Sequence, residues 1–162
     1  MGVGKTTLGK RLANALSIPF HDLDREIESR VERTVPEIFR DLGEPFFRKT
    51  ETSILRDYCT DEEMFVLSTG GGVGANSENM ELMKSAGVVI WLQLSEEMLF
   101  SRLKQSKTRP LLFGKTDDEL RTFIEEQLSL RAPIYAEADI HFNTADLSAE
   151  RLKELVEAIH SK

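Results

Sequence analysis

Met1-Gly2-Val3-Gly4-Lys5-Thr6-Thr7 opens the chain, and the reading of this stretch decides the fold. A phosphate-binding loop has the pattern G-x-x-x-x-G-K-[ST], fed by a strand and followed by a helix. Gly4, Lys5 and Thr6 fill its last three positions. Counting back, the first glycine falls two residues before Met1, and the feeding strand falls before that. An apolar stretch of about ten residues, ending in a glycine and one or two more residues, is therefore expected ahead of Met1. Glycines before a helix N-terminus bind phosphate because unpaired backbone N–H groups and the helix dipole point at the anion. Gly2 and Gly4 let the backbone come close. Lys5 is placed to reach the β- and γ-phosphates and the Thr6 hydroxyl to ligate Mg²⁺.

Outward from this loop, Leu8, Leu12, Ala15 and Leu16 recur at helical spacing, so a helix is expected from Lys5 to about Leu16. A short strand follows at 18–22. Ile27 and Val31 mark a second helix. Thr34 with Glu37 forms a capping box and Gly43 a stop, which predicts a short helix over 35–42. Phe46, Phe47, Ile54, Leu55 and Tyr58 carry the next helix. Met64 to Ser68 reads as a buried strand running into Thr69-Gly70-Gly71-Gly72. Val88 to Leu94 reads as a strand apolar on both faces, as in a central parallel position. Ser95 caps a helix with Met98, Leu99 and Leu103. A polar, basic loop covers 105–116. Thr116 with Glu119 caps a long helix through Gln127. A last strand at 139–143 and a helix lined by Leu152, Leu155, Val156 and Ile159 close the chain. Strands alternate with helices, which predicts an α/β fold with a parallel sheet covered on both faces.

Composition narrows the function. The 162 residues suit one domain with a core of its own. Cys59, the lone cysteine, excludes a disulfide framework and a multi-cysteine zinc site, and it fits a reducing, cytoplasmic setting. No apolar run approaches membrane-spanning length, and no signal peptide is visible. The net charge of −7, from Asp+Glu 28 against Lys+Arg 21, argues against a nucleic-acid partner. An anionic ligand must then be held by a few placed cations.

Several residues could carry chemistry. Asp22 and Asp24 flank Leu23 at a strand end, and in extended chain residues two apart face the same way. One carboxylate would stand near Mg²⁺ and the other on an acceptor hydroxyl, as base or orienter. Gly70-Gly71-Gly72 after a buried strand marks close approach of a ligand to backbone, although a plain flexible turn reads the same way. Arg48, with Glu51 three residues on, Arg109 beside Pro110, and Arg131 before Ala132-Pro133 are solvated surface taken singly. As a set they form a clamp for a carboxylate and a phosphoryl group.

Together, Gly2-Val3-Gly4-Lys5-Thr6-Thr7, Asp22-Leu23-Asp24, Phe47-Arg48 with Glu51, Thr69-Gly70-Gly71-Gly72, Thr108-Arg109-Pro110-Leu111-Leu112 and Leu130-Arg131-Ala132-Pro133-Ile134-Tyr135 resemble the shikimate kinase family over nearly the whole chain. The resemblance implies a nucleoside-monophosphate-kinase-like fold with a five-stranded parallel sheet, order 2-3-1-4-5, its first strand and loop start lying outside this sequence. It implies one kinase domain over 1–162, a substrate-binding segment at about 22–55 and a mobile lid at about 106–117. The reaction would be ATP plus shikimate to ADP plus shikimate 3-phosphate, a step toward chorismate and the aromatic amino acids.

The resemblance also assigns roles. Asp24 would bind and polarise the shikimate hydroxyls. Arg48 and Arg131 would hold the carboxylate, with the glycines Gly70, Gly71 and Gly72 alongside. Gly2, Val3, Gly4, Lys5, Thr6 and Thr7 would hold ATP, with Arg102 along the adenine. Asp22 would support Mg²⁺ with Thr6. Lys5 and Arg109 would stabilise the transferring group, Arg109 swinging in with the lid. Phe39 and Phe47 would wall the substrate pocket, or simply belong to the core. A cytoplasmic monomer with no membrane or nucleic-acid partner is expected.

Three other readings compete. A gluconate-type kinase shares the loop but needs no paired arginines for a ring carboxylate. A non-catalytic binding protein of the same family draws its support from the shortened loop alone. A nucleic-acid-dependent ATPase is disfavoured by the acidic balance and the lack of a basic stripe.

Overall fold

The computed structural model describes residues 2–104 and 115–162. Residues 105–114, which hold most of the loop expected at 105–116, most of the expected lid and Arg109, lie outside the described residues. In chain order the elements are α1 (Lys5–Leu16), β1 (Phe20–Asp22), α2 (Leu23–Val31), α3 (Val35–Asp41), α4 (Gly43–Cys59), β2 (Val66–Ser68), a 3₁₀ turn (Val73–Ala75), α5 (Ser77–Ala86), β3 (Ile90–Gln93), α6 (Glu96–Lys104), α7 (Asp117–Tyr135), β4 (Ile140–Asn143) and α8 (Ala149–His160). The alternation of strand and helix is the expected α/β pattern.

Both strand pairs are parallel. β1 pairs with β2 in the register Phe20–Val66 to Asp22–Ser68, and β3 with β4 in the register Ile90–Ile140 to Gln93–Asn143. These are the pairs 2-3 and 4-5 of the expected order. Among the described residues no ladder joins the two pairs. Paired on one edge, β3 is half-buried along its length rather than fully enclosed as its apolar sequence suggests.

Three apolar clusters anchor the layers. Leu23, Ile27, Ile38, Phe47, Ile54, Leu55 and Val73 tie α2, α3 and α4 to the turn after β2. Leu8, Leu12, Phe142 and Leu155 join α1, β4 and α8. Leu99, Leu103, Leu120 and Ile124 join α6 to α7. No helix of the described residues is long and apolar enough to cross a membrane.

Local signals set most boundaries. The Thr34 amide and hydroxyl both donate to Glu37, starting α3, and the Thr116 amide donates to Glu119, starting α7. Gly43 stops α3 in the left-handed conformation, φ 81°, and α4 begins there without an intervening loop. One buried face and two boundaries differ from expectation. Ala13, not Ala15, joins the buried face of α1. Met64 is exposed and precedes β2, which begins at Val66, whose amide donates to the Pro19 carbonyl. α7 runs past Gln127 to Tyr135 through Pro133. Lacking an N–H, Pro133 forfeits one bond but leaves the last turn standing, closed by Ala136 N–H on Ala132 O.

Candidate active site

The phosphate end is built by the first turn of α1. Gly4 precedes it at φ 90° and Gly2 stands at φ 73°, both in the region that only glycine enters cheaply. A side chain at Gly2 would meet Leu103 Cδ2 at 3.3 Å. Arg102 Nη1 donates to the Gly2 carbonyl at 3.2 Å, so α6 brings a cation to the loop. Thr6 Oγ1 donates to Asp22 Oδ2 at 3.2 Å, bringing the end of β1 to the start of α1.

Asp22 and Asp24 are neighbours, for a different reason than their sequence spacing suggests. Asp22 is the extended N-cap of α2, and Asp24 already lies in its first turn. The chain turns between them instead of continuing as strand. Both acids therefore gather at a helix N-terminus, where their charge is favoured. Burial holds the Asp24 carboxyl above its ordinary range, and the Asp22 charge adds to this, while Lys5 and Arg48 oppose it. Lys5, Asp22 and Arg48 thus act on the one carboxyl group of Asp24.

The other end is lined by the triple glycine, each member against a different partner. A methyl at Gly70 would stand 3.2 Å from Glu51 Oε1 and 3.4 Å from Asp24 Oδ1. At Gly71 it would stand 3.0 Å from Arg131 Nη1 and 3.4 Å from Tyr135 Oη. At Gly72 it would stand 2.3 Å from Arg48 Nη1. The missing side chains are what allow Asp24, Arg48 and Arg131 to close on one strap of backbone.

Arg48 is held from two sides. Its Nη1 donates to Glu51 Oε2 at 2.8 Å, and its Nε and Nη2 donate to Glu44 Oε1 at 3.2 and 3.1 Å. Glu51 is 1 % exposed, and burial lifts its carboxyl above the ordinary range against the pull of Arg48. Its Oε1 is the one buried side-chain oxygen without a hydrogen-bond partner among the described residues. The rings of Phe39 and Phe47 lie 4.7 Å apart, with the Arg48 guanidinium 5.2 Å from the Phe47 ring. Phe47 is core, whereas Phe39 is partly exposed beside it.

On α7, Arg131 and Tyr135 are four residues apart and share a face. The Tyr135 hydroxyl donates to the Gly71 carbonyl. A cleft between α6 and α7, lined by Leu99, Leu103, Ile124, Arg131 and Tyr135, opens beside them. Sequence reasoning quoted Tyr135 but gave it no contact, and it missed Glu44; the i, i+4 spacings to Arg131 and Arg48 were the available signals. Arg109 lies outside the described residues, so of the expected arginines it is 48 and 131 that meet Asp24 around the glycines.

A glycine-led helix start carrying Lys5 and Thr6, joined through two acids to an arginine-lined hollow, defines an α/β phosphate-loop kinase of a small anionic acceptor. The family model described as shikimate kinase matches residues 1–160. A shikimate kinase of Bacteroides thetaiotaomicron is 44% identical over 166 residues, covering 97% of this chain and 94% of the relative. The crystal structure of shikimate kinase from the same organism superposes with a TM-score of 0.86 at 39% identity, over 99% of this chain and 92% of that one. The structure of shikimate kinase from Acinetobacter baumannii in complex with shikimate gives 0.81 at 33% identity, over 99% and 87%. The chain belongs to the shikimate kinase family, and with it to the ATP-dependent phosphotransferases.

Proposed function

We propose that this chain transfers the γ-phosphoryl group of ATP to the 3-hydroxyl of shikimate, with the residues above in defined roles. One observation carries the reading. Asp24 stands at the seam, its oxygen beside Gly70 on the acceptor side and its charge coupled to Lys5 on the phosphate side. A hydroxyl bonded to Asp24 would therefore face a phosphoryl group held by Lys5 and the amides of the α1 start. Phosphoryl transfer asks for such positioning and for neutralised charge rather than for a covalent intermediate.

Arg48 and Arg131 hold the acceptor carboxylate in this reading, with the Gly70–Gly72 strap as floor. Arg48 arrives pre-set by Glu44 and Glu51, which cuts the entropy lost on binding. Residues Gly2 to Thr7 and Arg102 serve ATP. Arg109, assigned on sequence grounds, serves the transferring group. The chain is read as a cytoplasmic monomer acting on small molecules.

Thr6 and Asp22 suit Mg²⁺. Magnesium takes one or two carboxylates, completes its shell with phosphate oxygens and water, and avoids all-protein cages. One hydroxyl and one carboxylate, already 3.2 Å apart, match that donor set. When bound, the ion supplies charge neutralisation on the β- and γ-phosphate oxygens.

Coupled ADP release from the full-length protein, with shikimate and with gluconate as acceptor, tests the substrate. Turnover is expected on shikimate alone. Arg48→Ala should raise the shikimate KM about 10- to 100-fold, the worth of a charge-assisted contact. An unchanged KM would defeat the carboxylate assignment.

A further inference from the structure

We infer that Tyr135 is a positioning residue of the acceptor site, whose hydroxyl locks the middle peptide of the triple glycine against the Arg131 guanidinium so that the two present to the acceptor carboxylate as one unit. The inference rests on the carboxylate reading of Arg131 given above.

Three contacts converge on Gly71. The Tyr135 hydroxyl donates to its carbonyl oxygen. The space where a side chain would begin is filled by Arg131 Nη1 at 3.0 Å and Tyr135 Oη at 3.4 Å. The phenol ring covers the next turn of the strap as well, since a methyl at Gly74 would lie 3.3 Å from Tyr135 Cε1. A glycine run is the most mobile backbone a chain can have. Without an anchor, a strap of three glycines would lose conformational entropy each time the acceptor bound. The hydroxyl removes that freedom beforehand. Because a trans peptide is planar, fixing the Gly71 carbonyl also fixes the direction of the Gly72 N–H on the opposite side.

The anchor itself is rigid. Tyr135 sits in the last turn of α7 and packs against the Trp91 ring of β3, centroids 5.9 Å apart. Arg131 leaves the same helix one turn earlier, and its guanidinium lies close enough to the phenol to oppose the upward push of burial on the Tyr135 hydroxyl. A single helix therefore places both the cation and the bond that holds the strap beneath it. No substrate contact is required of Tyr135.

Tyr135→Phe keeps the ring and deletes the bond. It is expected to raise the shikimate KM about tenfold, with the ATP KM within twofold of wild type. On the analogue whose carboxylate is reduced to a hydroxymethyl group, the same variant should cost nothing further, because there is no charge for the unit to hold. Arg131→Ala should raise the shikimate KM more, and adding Tyr135→Phe to it should change little. If Tyr135→Phe leaves the shikimate KM within twofold while Arg131→Ala raises it, the role of Tyr135 falls and the carboxylate reading stands. If Arg131→Ala is itself silent, the carboxylate reading falls. If Tyr135→Phe weakens ATP, shikimate and the alcohol analogue alike, or only lowers the melting temperature, Tyr135 is a structural residue and the inference is overturned. Binding by calorimetry at 10 °C gives the same comparison should the variant melt early.

Discussion

The guanidinium of Arg48 occupies the place where a Gly72 side chain would be, with Nη1 2.3 Å and Cζ 2.7 Å from the position of a methyl carbon. Gly72 itself has φ −77° and ψ −30°, a conformation open to any residue. The glycine is there for the arginine, not for the backbone. Gly72→Ala should cost about 1–3 kcal/mol of stability, because the displaced Arg48 leaves the buried Glu51 carboxyl without its partner. Arg48 must swing away from Glu51, and the shikimate KM should rise at least about tenfold. Thermal melts and acceptor kinetics on one variant check both halves. An unchanged KM or an unchanged melting temperature would contradict the account.

Asp24 binds its proton more readily folded than unfolded, because burial penalises its charge. Its stability contribution is thus fully present in acid, below the unfolded carboxylate range, and is lost as pH rises through the raised folded pKa. Asp24→Asn removes this penalty. The variant should melt higher than wild type at pH 7, and the gain should begin to shrink as the pH falls through that raised pKa and vanish below the unfolded carboxylate range. Activity moves the other way. The ionised carboxylate is the form that accepts a hydrogen bond or proton from the acceptor, so kcat/KM should show an acid limb. That limb belongs to Asp24 and the coupled, likewise raised Glu51 together. D24N should lose about 10²- to 10⁴-fold in kcat. A loss under tenfold would remove Asp24 from the chemistry.

Much of this was legible before any coordinates. The helix start at Lys5 and both capping boxes follow from local rules, because the residues that satisfy orphan amides sit within four positions of them. The gathering of Arg48, Arg131 and Asp24 is different. Spacing named them as candidates, and the family resemblance joined them, since no local rule says that residues 24 and 83 positions apart meet. The extended reading of Asp22-Leu23-Asp24 failed because the helix began one residue earlier than a strand pattern can reveal. Pro133 masked the true end of α7, and so masked the pairing of Arg131 with Tyr135. Glu51 was visible as a partner for Arg48, but its near-complete burial beside Gly70 comes from tertiary packing, which sequence spacing does not carry.

The Thr6–Asp22 bond makes a separable prediction about the metal. Thr6→Ala and Asp22→Asn each remove one oxygen donor from the start of α1. The Mg²⁺ concentration giving half-maximal rate should rise about tenfold or more in either variant. The shikimate KM should stay within twofold, since the acceptor arginines touch neither residue. A shift in the shikimate KM as large as the shift in Mg²⁺ requirement would show that the two ends are not independent.

Trp91 offers a direct optical reading of the acceptor site. It is the sole tryptophan, and its ring lies 5.9 Å from that of Tyr135 and 5.0 Å from His141. Tyr135 in turn touches the strap and Arg131. Shikimate that draws Arg131 onto its carboxylate must disturb the phenol, and through ring contact the indole. Tryptophan emission should therefore change on adding shikimate without nucleotide, with a midpoint matching calorimetric binding. ATP alone should leave it unaltered, because Gly2 to Thr7 and Arg102 lie at the other end of the site. Arg131→Ala should abolish the change, and Tyr135→Phe should reduce it. Trp91→Phe should remove the signal while preserving kcat, since the indole touches no residue assigned to substrate. An emission change that follows ATP instead would mean that Trp91 senses the phosphate end, and the path from strap to indole through Tyr135 would be wrong.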